Sequence, residues 1–205
     1  MLEKKIGFIG CGNMSKAIIG GLVAGGQIQP ENIWVFDHKP ETNQAMHQQY
    51  GITPAESAEE VAKQADILFG AVKPNVILKV LKDVAGSLNK DTLVVSIAAG
   101  VTLDALAMAL GHDRKIVRVM PNTPALVNEG MTSVTPNALV SQQEIDEVVK
   151  IFNSFGKAEV VAEYLIHSVV GVSGSAPAYV FMFIEAMADA AVLGGMPRAQ
   201  AYQFA

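Results

Sequence analysis

The chain has 205 residues, half of them hydrophobic and 17% charged, with a net charge of −5. Its length suits one good domain plus part of another. A negative balance with no run of Lys or Arg argues against nucleic acid and anionic membranes as general partners. Cys11 is the only cysteine, so no intrachain disulfide is available, which fits a reducing, cytoplasmic setting. The high apolar fraction points to surface buried between subunits.

The start imitates a secretory signal, and "FIGC" imitates a lipoprotein cleavage box. Glu3 lies in the basic region, however, and the apolar run before Cys11 is only Ile6 to Gly10, shorter than the ~7–15 residues of a signal core. Export is therefore not expected. Lys5 to Ile9 instead reads as a buried strand, broken by Gly10, Cys11 and Gly12. From Asn13 onward Met14, Ala17, Ile18, Gly21 and Leu22 recur at helical spacing. Strand, glycine turn and helix form the context of a dinucleotide fingerprint: bare backbone approaches a pyrophosphate, and the helix N-terminus faces the anion. The pattern is Gly10-x-Gly12-x-x-Ser15, with Ser15 as a small residue that lets helix and strand pack closely.

Downstream, Ile33 to Asp37 reads as a strand, Pro40 to Tyr50 as a helix and Gly51 to Pro54 as a short strand. Ser57 and Glu60 form a capping box for a helix to about Gln64. Ile67 to Val72 is a strand, and Asn75 to Ala85 a helix with one apolar face. Thr92 to Gly100 is a near-continuous apolar strand, as in sheets covered on both faces. Thr102 caps a helix to Leu110, and Lys115 to Met120 is again a strand. This alternation predicts a doubly wound α/β domain with a parallel sheet. Met131 to Thr135 and Lys157 to Val161 are further strands, separated by a helix from the Ser141/Glu144 capping box to about Phe155.

From Glu163 the pattern is helical only. "SGSAPAY", Ser173 to Tyr179, reads as a helix start, with Ser175 as cap and Pro177 in the first turn. The following helix to Leu193 is apolar nearly all round and is expected to be buried against a partner subunit. Its longest apolar stretch, Ala176 to Met196, is interrupted by Glu185 and Asp189, so no membrane span is expected. A last helix begins at Pro197 and has no closing signal at Ala205, so the natural chain is expected to continue.

In a doubly wound sheet, ligands bind beyond the carboxyl ends of the strands. Gly10 to Met14, Asp37 to Pro40, Ala71 to Pro74, Ile97 to Gly100 and Met120 to Pro124 should therefore meet on one crevice. Asp37, at the tip of the second strand, suits the ribose of NAD, whereas His38 and Lys39 suit the 2′-phosphate of NADP; both readings stay open. Lys73 either places an ammonium in the site or lays its stem over the crevice, and the second is preferred. Asn122 and Thr123 either bind ligand or form a Pro-stiffened turn. Cys11 reads as a turn filler rather than a redox sensor. Ser173 and Ser175 read as caps, not nucleophiles. No metal set is present: His38, His47, His112 and His167 are scattered. Hydride reduction of a C=N bond would suit such a site, because it needs orientation more than a strong acid.

"GFIGCGNM", "AVKP", "SIAAGVT", "MPNTP" and "GVSGSAPAYVFMFIEAMADAAVLGGMPR", in this order, resemble the pyrroline-5-carboxylate reductase family. The resemblance implies a Rossmann domain over residues 1–162, followed over 163–205 by the start of an all-helical dimerisation domain, incomplete at the C-terminus. It implies reduction of L-Δ1-pyrroline-5-carboxylate, a cyclic imino acid, to L-proline in proline biosynthesis. NADPH is the implied carrier, with NAD possible, in a homodimer or higher homo-oligomer. The implied cofactor contacts are Ile9, Gly10, Cys11, Gly12, Asn13 and Met14, then Ala71, Val72, Lys73 and Pro74, then Ile97, Ala98 and Ala99. The family's phosphate-reading turn is commonly Ser-Asp-Arg, whereas this chain has Phe36-Asp37-His38, so His38 and Lys39 are candidates for the ribose end from their position at the second strand's tip. Glu163 would lie near the nicotinamide, and Ser175 in the active-site floor. The family's substrate-carboxylate loop would fall beyond residue 205. Two alternatives remain. One is a related imine or 2-hydroxy-acid reductase, disfavoured because Arg198 is the only Lys or Arg after Lys157. The other is a non-catalytic dinucleotide-binding module.

Overall fold

Alternate residues of each apolar run enter different cores, and this alternation builds the layers. The structure, a computed structural model, describes residues 2–205; residue 1 of the expected first domain lies outside them. The strands are β1 (Ile6–Ile9), β2 (Ile33–Phe36), β3 (Thr53–Pro54), β4 (Ile67–Gly70), β5 (Leu93–Ser96), β6 (Lys115–Met120), β7 (Gly130–Pro136) and β8 (Gly156–Val160). They form one sheet in the order β3-β2-β1-β4-β5-β6-β7-β8. Successive side chains of a strand point to opposite faces, so Ile6, Phe8, Ile67, Phe69, Leu93 and Val95 join one core. Ile9, Leu68, Val94 and Ile116 join the other.

Helices cover both faces. α1 (Asn13–Ala24), α2 (Pro40–Tyr50) and α6 (Gln142–Phe152) supply the first core, where Phe8 stacks on Phe69 with ring centroids 4.7 Å apart. Phe152 and Phe155 continue that aromatic row. α3 (Ala58–Gln64), α4 (Pro74–Val84) and α5 (Leu103–Leu110) supply the second. Cap signals become real caps at three sites: Ser57, Thr102 and Ser141 each accept the backbone N–H three residues on. The full reciprocal box forms only at Ser141; the Glu60 carboxylate accepts from the Glu56 N–H instead of the Ser57 N–H.

Three expectations are corrected. The sheet is parallel only from β3 through β6; β7 runs antiparallel to β6, and β8 is parallel to β7. Residues 121–129 between β6 and β7 are too few for a helical crossover of about a dozen residues, so the chain folds back. Secondly, β4 stops at Gly70 and β5 at Ser96 rather than at Val72 and Gly100. After β5 the Ala98 N–H turns to the Ser96 hydroxyl, and Gly100 takes φ +78°, which ends extended structure. Helix α6 likewise stops at Phe152, short of Phe155.

The third correction concerns the C-terminal segment. A 3-10 turn (Glu163–Leu165), α7 (Ile166–Val169), a π-turn (Val170–Gly174) and α8 (Ala176–Leu193) run on as one helix, with α9 (Arg198–Phe204) after it. Ser175 therefore does not start a helix: its backbone is already helical and its side chain caps nothing. By length and composition this 31-residue helix could cross a membrane, a property it shares with apolar core helices of soluble proteins, and Glu185 and Asp189 interrupt it as the sequence reading has it.

Candidate active site

The direction of winding reverses at β1: α1 leads outward to β2, while α3 leads back across to β4 on the other side. Ligand crevices open at such switch points. Here the strand tips are stitched in order. The Gly10 N–H donates to Phe36 O (2.8 Å), the Ala71 N–H to Ile9 O (2.9 Å) and the Ile97 N–H to Gly70 O (3.2 Å). Four of the five expected loops thus meet along one rim.

A groove of about 550 Å³ opens over the first three tips, lined by Ile9, Gly10, Gly12, Phe36 to His38, and Ala71 to Lys73. Ala58, Val76 and Val80 add an apolar wall from α3 and α4, which sequence reasoning missed. Gly10 sits at φ +98°, and a Cβ there would come within 2.5 Å of Ala71 O. Gly12 faces open space and is the N-cap of α1, with no side-chain cap and no acidic residue in the first turn. Bare backbone at Gly10 and Gly12 thus lines the groove, at the start of a helix whose first amides no side chain caps, which is what a pyrophosphate requires. Ser15 does more than stay small. Its buried hydroxyl donates to Gly10 O at 2.7 Å and fixes the turn.

The other expected residues divide. Cys11 is buried beneath the turn, and burial, followed by the Asp37 charge, pushes its thiol up to about 12 despite the opposing effect of Lys16. Asn13 is exposed and Met14 half-buried at the start of α1; Lys39 and Pro74 are exposed just outside the lining. Ile97, Ala98 and Ala99 follow β5 without lining the groove, and Ala98 is buried.

The fifth loop forms a second hollow of about 510 Å³, where Asn122 and Pro124 face Val172, Ser173, Ala176, Pro177, Val180 and Phe181. Asn122 is committed to the protein: its Nδ2 donates to Ser173 O (3.0 Å) and its Oδ1 accepts the Met131 N–H (2.8 Å). Glu163 is also engaged. Its Oε1 accepts from Arg118 (2.9 Å) and from the Leu103 N–H (2.7 Å), the first amide of α5. Arg118, nearly buried on β6, was not singled out by sequence reasoning. Among the described residues no group of three or more His, Cys, Asp or Glu is arranged to hold a metal.

Comparison with known proteins agrees with this geometry. Residues 5–100 match the family model for NADP oxidoreductase, coenzyme F420-dependent, and residues 163–205 that for pyrroline-5-carboxylate reductase dimerisation. The chain is 71% identical over 204 residues to pyrroline-5-carboxylate reductase of Escherichia coli, covering all of this chain and 76% of that protein. It is 36% identical over 201 residues to that of Arabidopsis thaliana, covering 98% and 72%. The crystal structure of Plasmodium falciparum pyrroline carboxylate reductase with NADP bound superposes at a TM-score of 0.89 with 33% identity, covering 100% of this chain and 75% of that one. Fold, rim and helical segment thus coincide in one lineage: the chain belongs to the pyrroline-5-carboxylate reductase family.

Proposed function

We propose that this protein reduces L-Δ1-pyrroline-5-carboxylate to L-proline, the last step of proline biosynthesis, using NADPH or NADH. The observation that carries the reading is the bare glycine turn open on the switch-point groove, in a chain 71% identical along its whole length to a named reductase. A nicotinamide carrier held in this groove would supply the hydride for the imine carbon. The backbone of Ile9 to Gly12 and the first amides of α1, at Asn13 and Met14, hold the pyrophosphate. His38 and Lys39 meet the adenosine ribose end, Ala71 to Pro74 form the facing wall, and Ile97 to Ala99 continue it toward the nicotinamide.

The hollow between Asn122 and Phe181, with Ser175 on the adjoining helix, takes the cyclic imino acid. An iminium is already electrophilic, so the chain's task is to orient two reactants and exclude water. Glu163 serves this by tying the helical segment to Arg118 and to α5. In this reading residues 1–162 are the dinucleotide-binding domain. Residues 163–205 begin the helical domain through which copies assemble, in the cytoplasm.

The test is a steady-state assay of the full-length protein. Loss of nicotinamide absorbance that depends on pyrroline-5-carboxylate is the expected result. Turnover confined to 2-hydroxy acids or other imines, or carrier binding without any turnover, overturns the reading.

A further inference from the structure

Between the far edge of the sheet and the long helix lies a third hollow, of about 390 Å³. Met131 of β7 and Val161 form its sheet wall, and Leu165, Val169 and Val172 its helix wall. Alternate residues of a strand share a face, so Met131, Ser133 and Thr135 lie on one side of β7. Thr135 commits its hydroxyl to Val161 O at 2.9 Å. Ser133 does not: it is 2% exposed, lines the hollow, and its Oγ has no hydrogen-bond partner among the described residues. Its neighbour in register on β8 is Glu159, which lines the hollow as well. Glu159 is exposed, and its carboxylate has no partner among the described residues. An unpaired buried hydroxyl and an unpaired carboxylate thus stand side by side over apolar walls.

A buried hydroxyl without a partner opposes folding, so such groups are few and call for an explanation. A primary ammonium supplies one. It carries three donors and no acceptor, enough for the Ser133 hydroxyl oxygen and the Glu159 carboxylate together. Hydrogen bonds between ionised groups are also the stronger kind. A short alkyl chain on that nitrogen meets Met131, Leu165, Val169 and Val172, in a volume at the small end of the about 300–1,000 Å³ of ligand pockets. No Lys, Arg or His lines the hollow, so a carboxylate finds no cation there, which sets this ligand apart from an imino or amino acid. Lys157, two positions before Glu159 on the same strand face, is exposed and outside the lining.

We propose that this hollow is an effector site for a small primary alkylammonium ion. Val172 and Ser173 line both this hollow and the one between Asn122 and Phe181, so an occupant of one bears on the other through two shared residues. The effect on turnover rests on reading that second hollow as the imino-acid site; the binding does not.

Calorimetric titration of the full-length protein with n-pentylammonium chloride tests the proposal, with 1-pentanol and pentanoate as uncharged and anionic probes of the same length. Saturable binding of one ammonium per chain is expected, with the other two probes weaker by about tenfold or more. Glu159→Gln should weaken the ammonium about tenfold. Ser133→Ala should weaken it about threefold while holding Tm at or above that of wild type, because an unpaired hydroxyl is removed. Lys157→Ala should bind at least as tightly as wild type, since it takes away a like charge. In steady-state assays, saturating n-pentylammonium should shift the KM for pyrroline-5-carboxylate by about fivefold or more and leave the KM for NADPH unchanged. No saturable binding, equal affinity for 1-pentanol, or full affinity in both Glu159→Gln and Ser133→Ala overturns the site. Binding with unchanged kinetics overturns its effector role. Absence of turnover with pyrroline-5-carboxylate refutes the catalytic reading instead, a result distinct from failure of the ammonium to bind.

Discussion

Cys11 sits where a redox-active thiol would threaten the enzyme, directly under the turn that faces the groove. Its surroundings suppress that chemistry. Burial disfavours the thiolate, the neighbouring Asp37 carboxylate repels it, and Lys16 offsets only part of this. With the pKa raised to about 12, the group stays a thiol through neutral and mildly alkaline pH. The native protein is therefore expected to react with a disulfide reagent at pH ~8 far more slowly than the same protein unfolded in denaturant. Equal rates would show that the turn opens freely. At this scale the sequence was readable wherever one residue's backbone demand is local, as with Gly10 and Gly12. It was not readable where function lies in a pair. Ser15 was seen as small but not as the donor to Gly10 O. Arg118 meets Glu163 across 45 positions of sequence, and no local pattern announces that partner.

Helix starts tell a similar story one level up. Ser57, Thr102 and Ser141 each follow a break in an apolar pattern and each caps a helix, because nothing upstream is helical. Ser175 also carries a start signal, a cap residue with Pro177 two positions on, but inside a helix that does not stop. Pro177 explains both the signal and its failure. It has no N–H to give to Ser173 O four residues back, and its ring crowds that carbonyl. The π-turn Val170–Gly174 precedes the Pro, and the freed Ser173 O is taken by Asn122 Nδ2 at 3.0 Å. A loop of the sheet thus completes a helix that a Pro had left open. Asn122→Asp keeps an acceptor for the Met131 N–H but loses the donor to Ser173 O, at an expected cost of about 1–3 kcal/mol, read by chemical unfolding. Pro177→Ala supplies a backbone N–H to the same carbonyl, so in the Asn122→Asp background it should restore part of the loss. Strict additivity of the two substitutions would show that they do not share Ser173 O.

For the whole molecule, alternation of strand and helix announced the doubly wound sheet, and the switch point gave the groove. The reversal at β7 was legible only in the shortness of residues 121–129, a length argument rather than a pattern. The C-terminal helix was legible as apolar all round, and the structure shows what that means for one chain. Phe181, Phe183 and Leu193 are 68%, 64% and 91% exposed. A soluble monomer rarely presents such a continuous apolar surface, which marks a protein or membrane interface. The same residues, 163–205, match a dimerisation model, so a second copy of the chain is the cover that fits. Burying one Phe is worth about 1.5–3 kcal/mol, and in a two-fold assembly each substitution counts twice. Phe183→Asp should therefore weaken the dimer by at least about a hundredfold, from about 3 kcal/mol over the two copies. Sedimentation velocity over a dilution series of the full-length protein measures this. The wild type should keep its oligomeric mass at concentrations where the variant has fallen to a smaller species. Identical profiles for the two would place the subunit contact elsewhere, and co-flotation of wild type with neutral lipid vesicles would assign the apolar face to a bilayer instead.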